Sequence, residues 1–197
     1  MIGALPESLN VGGREYAIRS DFRNVLQVLE AFSDPDLDNA EKWIVAIFLL
    51  FEDFSCADDV EKAVENGFDV KEAAEGIKWF IEAGSEENNS CELPTYDWAK
   101  DEQMIFSAVN KVANRETRAE EYMHWWTFIG YFNEIEEGTF SFIVGIRDKL
   151  NKGKKLEKHE MEFLRKNRKM IEIRKPKTRE EMQQEKEYQD LLTRVIG

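Results

Sequence analysis

The residues of this chain that could do chemistry are mainly carboxylates, and a dense group of them surrounds a cysteine. Glu52-Asp53 and Asp58-Asp59 flank Cys56, an arrangement that suggests a bound metal ion. Their spacing lacks the central glycine and the terminal glutamate of a calcium-binding loop, so the end of one helix and the start of the next is the better interpretation. The chain has only two histidines, so no zinc-binding pattern can be assembled. We expect neither a metal nor a cofactor.

Nucleophilic catalysis by a cysteine would need that cysteine beside a histidine. The candidates are Cys56 and Cys91 on one side and His124 and His159 on the other, and nothing in the local sequence pairs them. No glycine-rich phosphate-binding motif is present. We therefore predict a protein that is not an enzyme and assign His124 a structural role.

A basic segment offers a different chemistry, the binding of phosphates. Residues 1–146 carry 11 basic and 30 acidic residues, a net charge of −19, whereas residues 147–177 carry 13 and 5, a net charge of +8. The basic segment could neutralise several phosphates, but the acidic body repels nucleic acid, and no aromatic residue interleaves the basic run before Phe163. We favour a solvated helix or docking on an acidic protein surface, and keep a nucleic-acid-associated protein that uses residues 147–177 as the alternative.

The densest apolar feature is the stretch from Tyr122 to Phe132, which has six aromatic rings besides a histidine in eleven residues. Rings of this size must be buried or presented to a partner. We predict a helix from about residue 119 to 135 in which Trp125, Ile129 and Phe132 build the core. The residues expected at a partner surface are Phe128, Tyr131, Trp98 and Arg147.

The pattern along the chain predicts a mostly α protein, a single helical domain with a small N-terminal β-hairpin. Two glycines between short alternating runs place the strands at about 8–11 and 14–18. Residues 1–150 form the helical body, and residues 151–197 form an extended, charged, helical C-terminal arm with too few apolar residues for a core of its own. Helices within the body are predicted at about 21–32, 38–54, 58–66, 69–83, 97–113 and 119–135, with a further one starting near 139.

No segment of the sequence is predicted to cross a membrane. The longest uncharged apolar run, Trp43 to Phe51, has nine residues, whereas a bilayer requires roughly 20. The N-terminus lacks the basic start and the apolar stretch of a secretory signal. We expect a cytosolic protein.

Three motifs occur in a fixed order along the chain: Tyr96-Asp97-Trp98-x-x-Asp101, Tyr122-x-His124-Trp125-Trp126-x-Phe128 and Phe142-Ile143-Val144-x-x-Arg147. This order resembles the gp-fifteen family of small proteins from long-tailed bacteriophages and prophages of Gram-positive bacteria. The resemblance spans about residues 20–175 and is most specific over 94–148.

The resemblance implies a tail assembly chaperone, located in the host bacterial cytoplasm. Such a protein binds the tape measure protein and keeps it soluble during tail tube assembly, without enzymatic activity. Contact with the major tail protein and self-association are further expectations. A tape measure protein is an extended chain of amphipathic helices, so a helical chaperone with an apolar groove could cover their apolar faces reversibly.

Overall fold

The computed structural model describes residues 3–85, 93–173, 181 and 183. Within them the chain forms an antiparallel two-stranded hairpin, nine α-helices and one short 3-10 helix, which confirms the prediction of a mostly α protein with an N-terminal hairpin. The strands are β1 (Ser8–Val11) and β2 (Arg14–Ala17), and the helices are α1 (Phe22–Ser33), α2 (Asn39–Leu50), α3 (Ala57–Glu65), α4 (Val70–Ile81), α5 (Glu102–Ala113), α6 (Trp125–Asn133), α7 (Thr139–Asn151), α8 (Lys158–Lys166) and α9 (Arg168–Ile171), with the 3-10 helix at Thr117–Ala119.

The hairpin turns at two glycines and lies on α4. Gly12 and Gly13 have φ angles of +62° and +77°, which side chains with a Cβ adopt at a cost. Leu9 and Val11 are buried on the inner face of β1. The Gly12 N–H donates to the Glu72 carboxylate of α4 at 2.6 Å. Two strands alone are marginally stable, so this helical support is what holds the hairpin.

The central helix of the body is α2, whose Ala46, Ile47 and Leu50 are completely buried. It ends at Leu50, four residues before the predicted end, because Phe51 turns into an extended bridge with Ile18. No helix in the described residues combines the length and the apolar character that spanning a membrane requires.

The link between β2 and α1, residues 18–21, ties three parts of the fold together. The Arg19 N–H donates to the Leu50 carbonyl at the end of α2 at 2.7 Å, and the Trp125 N–H donates to the Ser20 carbonyl at 2.8 Å. This extended link therefore fixes the end of α2 and the start of α6 at the same place.

The side chain of Arg19 also closes the carboxyl end of α2. Its guanidinium donates to the carbonyls of Phe48 (2.8 Å) and Phe51, and to those of Glu52 (3.3 Å) and Phe54 (3.1 Å). Because α2 has no basic residue in its own last turn, the carbonyls left unpaired there depend on this distant cation.

Two helices start later than predicted because polar side chains stabilise other backbone conformations before them. Ahead of α5, the Asp97 carboxylate accepts the Lys100 N–H at 2.7 Å and holds a turn. Ahead of α6, His124 is extended (φ −59°, ψ 139°) and forms a bridge with Asp21. The helices consequently begin at Glu102 and Trp125 rather than at 97 and 119.

The predicted arm is corrected over its first 23 residues, because residues 151–173 fold back on α7. Leu156 and Ile171 pack against Ile146 in a second, smaller core. These residues need no core of their own because α7 supplies the other side of the contact. The rest of the predicted arm, residues 174–197, lies outside the described residues apart from 181 and 183.

Replacing Arg19 by alanine should lower the free energy of unfolding by about 2 kcal/mol, since it leaves several carbonyls without their charged donor. The matched control is Arg14→Ala, which removes an ion pair to Asp53 from a side chain that is 65% exposed. That change should cost less than about 1 kcal/mol. Urea unfolding of both variants measures the difference, and equal losses would contradict the capping role of Arg19.

Candidate partner-binding site

His124 has the structural role expected from the sequence. Its side chain is 3% exposed, and its Nδ1 accepts the Trp126 N–H at 3.0 Å, which caps the start of α6. A carbonyl only accepts, so the 2.9 Å contact with the Pro6 carbonyl requires Nε2 to carry the proton. Both ring nitrogens are therefore used within the fold.

The two tryptophans that follow close the carboxyl end of α4. The Trp125 indole N–H donates to the Ile81 carbonyl and the Trp126 indole N–H donates to the Phe80 carbonyl, each at 2.9 Å. Carbonyls in the last turn of a helix have no partner within that helix. The His-Trp-Trp motif therefore joins the start of one helix to the end of another.

The orientation of α6 corrects the prediction for Phe128. Trp125 is 1% exposed, and Ile129 and Phe132 pack partly buried against the same core. Phe128 was expected nearer the surface, but it is fully buried and stacks on Phe22 with ring centroids 4.5 Å apart. The prediction was wrong because residues three apart on a helix differ by only about 60° in direction, so Phe128 faces the core with Trp125.

Arg147 was predicted at a partner surface, and this is also wrong. The residue is 2% exposed, and each of its five N–H donors has an acceptor inside the fold. Nε donates to the Ile171 carbonyl (2.8 Å), Nη1 to the Thr95 carbonyl (3.1 Å) and Asp101, and Nη2 to Asp101 (3.0 Å) and the Met170 carbonyl (2.7 Å).

The partner of Arg147 is an equally buried carboxylate. The Asp101 side chain is fully covered, and besides the guanidinium it accepts the Asp97 N–H at 3.0 Å. Burial of two charges is costly unless hydrogen bonds satisfy both, as they do here. The pair links the turn before α5 to α7 and α9, and it brings together the first and third motifs of the sequence.

A groove of about 650 Å³ lies between α1 and that turn. Leu26 and Leu29 of α1, which are half-buried and pack against the core, form one wall, and Trp98 forms the other. Ile105 and Phe106, at the base of the groove, belong to the buried core. The groove therefore combines an apolar lining with an opening to solvent.

The rim of the groove is acidic. Glu30 and Asp34 line it on the α1 side, and Asp97 and Glu102 line it on the opposite side. Lys100 is the single cation among its described lining residues. None of the four carboxylates forms an ion pair with another residue in the described ranges.

Of the four residues predicted at a partner surface, only Trp98 lines this groove. Its ring is anchored to Phe132, 4.9 Å away between centroids, so the groove wall is continuous with the core. Tyr131 packs partly buried against the core and does not line the groove. The sequence interpretation did not place Leu26 and Leu29 at a partner surface. The signal for a second role was an apolar arc on α1 wider than one core contact needs.

The residues considered for chemistry are not assembled into a site in the described part of the chain. Cys56 is an exposed free thiol, and Cys91 lies outside the described residues. In the described ranges, no three histidine, cysteine, aspartate or glutamate side chains are grouped as metal ligands would be.

Much of the basic segment is paired with acidic side chains. Lys149 and Glu160 are 2.6 Å apart, and this hydrogen bond holds the pKa of Glu160 below and that of Lys149 above its usual value. Three further ion pairs in the segment are Lys152–Asp148, Lys166–Glu162 and Arg168–Glu172.

Replacing Trp125 by phenylalanine should lower the free energy of unfolding by about 1–3 kcal/mol, because the Ile81 carbonyl loses its buried donor. Trp79→Phe is the matched control, since Trp79 is 42% exposed and should lose less than about 1 kcal/mol. Chemical denaturation gives both values. A Trp125 variant no less stable than the Trp79 variant would argue against the role of the indole N–H.

Replacing Arg147 by alanine should cost about 3–5 kcal/mol, because the Asp101 charge would stay buried without its partner. Arg147→Lys should restore only part of the loss, since an ammonium has three donors in place of five. The double variant with Asp101→Ala should be destabilised by less than the sum of the single variants. Additive losses in denaturant unfolding would show that the two side chains act independently.

Comparison with known families identifies the chain. A family model described as Bacteriophage Gp15 protein matches residues 1–173, which include the three sequence motifs and the segment folded back on α7. Neither the curated proteins nor the solved structures give a match. The match covers most of the 197 residues, and the chain therefore belongs to the bacteriophage Gp15 protein family.

Proposed function

We propose that this phage protein is a tail assembly chaperone that binds the tape measure protein and keeps it soluble during tail tube assembly. The observation that carries the proposal is the open apolar groove between α1 and Trp98. The role of the protein is binding rather than catalysis, and the protein acts in the host bacterial cytoplasm.

The size of the groove fits a modest, repeated contact. On the α1 side its lining runs from Leu26 to Asp34, which at about 1.5 Å per residue is roughly 12 Å, or two helical turns. One such contact is weak, but many copies along one long partner bind strongly together and separate one at a time. Stepwise release is what a chaperone needs when tail protein replaces it around the tape measure.

The charge of the body suits the same role. Residues 1–146 have a net charge of −19, and a high net charge keeps a protein from aggregating when it covers apolar surface. Contact with the major tail protein and self-association belong to the proposal as further expectations.

The nucleic-acid alternative is less well supported by the arrangement of the basic residues. Arg147 is buried, and the side chains of Lys149, Lys152, Lys166 and Arg168 lie in ion pairs with carboxylates. Each such pair reduces the positive charge available to a phosphate backbone, and the acidic body adds repulsion.

Co-expression with a fragment of the tape measure protein should yield a soluble complex on size-exclusion chromatography. Ala99→Arg, which places a long side chain in the groove, should weaken this complex at least about tenfold, or roughly 1.4 kcal/mol. Ala119→Arg is the matched control, because Ala119 is also exposed and does not line the groove. Both variants should keep the unfolding midpoint of the parent protein.

Two outcomes would contradict the proposal. One is the absence of any complex together with salt-sensitive retention on DNA, which would favour the nucleic-acid alternative. The other is a complex that both arginine variants weaken equally, which would place the contact away from the groove.

A further inference from the structure

The two sides of the groove carry the same sign of charge around an apolar base. Glu30 is exposed and Asp34 partly exposed on the α1 side, and Asp97 and Glu102 lie opposite, with Lys100 as the single described cation. An apolar partner alone would gain nothing from such a rim. A partner with cations beside its apolar residues would gain electrostatic attraction along both sides.

The end of α1 adds to the negative potential. The carbonyls of the last turn of a helix carry a partial negative charge, which proteins commonly offset with a basic residue. No basic residue occupies the last turn of α1, and Asp34 is its C-cap. The Asp34 and Ser33 end of the groove therefore combines a helix terminus with a carboxylate.

The opposite side is less uniform, so the two sides do not contribute equally. Glu102 lies within the electrostatic range of Arg118, and Asp97 accepts the Lys100 backbone N–H. The Glu30 side chain makes neither a hydrogen bond nor an ion pair with another described residue, and it lies in the interior of α1. It is the rim charge most available to a partner.

We infer that the groove selects a short amphipathic helix with a leucine- or isoleucine-rich stripe between lysine or arginine residues. This rests on the proposed function in one respect, namely that the helix belongs to the tape measure protein. The groove follows α1 for about two turns, so a partner helix would present apolar anchors at positions i, i+3 or i+4, and i+7. Its flanking cations would face Glu30 and the carboxyl end of α1.

The test is a charge swap between the protein and a synthetic helix. Two fluorescent peptides of about 18 residues share one leucine stripe, flanked by lysines in one peptide and by glutamates in the other. Fluorescence anisotropy with the full chain should show the lysine peptide binding at least about tenfold more tightly. This preference should shrink as sodium chloride rises from about 0.05 to 0.5 M, because salt screens exposed charges.

The variant Glu30→Lys should weaken binding of the lysine peptide and strengthen binding of the glutamate peptide. Glu61→Lys is the matched control, since Glu61 is an exposed glutamate inside α3 and changes the net charge by the same amount. It should alter both affinities much less. A general effect of net charge would appear equally in the two variants.

Equal affinity for the two peptides, or equal effects of the two lysine variants, would overturn the inference. The tape measure complex separates this failure from that of the proposed function. If the fragment binds but is insensitive to Glu30→Lys, the function stands and the charge selection fails. If the lysine peptide binds and the fragment does not, the groove chemistry stands and the tape measure is not its partner.

Discussion

The need to satisfy helix ends governs this fold. Helices α1 to α8 have only nine to thirteen residues, and each end leaves up to four backbone groups without a partner in the helix. Side chains distant in sequence supply many of those partners. Arg19 serves the end of α2, Trp125 and Trp126 the end of α4, and Arg147 the carbonyls of α9, while His124 caps the start of its own helix α6. Secondary structure and tertiary structure are therefore formed by the same contacts.

This constraint explains why the most aromatic motif of the chain is not its partner surface. Trp125 and Trp126 must approach the end of α4 to donate their indole N–H groups, so their rings cannot also face outward together. Because the motif packs inside the fold, other residues have to form the groove. Trp98 forms one wall of the groove because the Asp101–Arg147 ion pair fixes the turn that carries this residue. A structural ion pair thus sets the position of a residue suited to binding.

The elements predicted well are those whose signals are local. The glycine pair of the hairpin and the aspartates that cap α1, α2 and α4 act within a few residues, and the structure has the hairpin and these helix starts near the predicted places. The errors concern contacts that sequence spacing does not encode. Nothing in the local sequence around an arginine in a helix indicates that it will form a buried ion pair with a carboxylate 46 positions earlier. Arg147 forms such a pair with Asp101. Phe128 was misplaced for a simpler reason: it lies only about 60° from Trp125 around the helix, so it faces the core with Trp125.

The C-terminal segment is subject to the same constraint. The family match ends at residue 173, just past the α9 carbonyls that occupy two of the five donors of Arg147. Without those carbonyls the guanidinium would keep its hydrogen bonds to Asp101, but two of its N–H donors would be buried without an acceptor. A buried charged group with unpaired donors destabilises the surrounding structure. The turn carrying Trp98 lies directly on that pair. Residues 151–173 are therefore better understood as part of the unit that shapes the groove than as an arm attached to it.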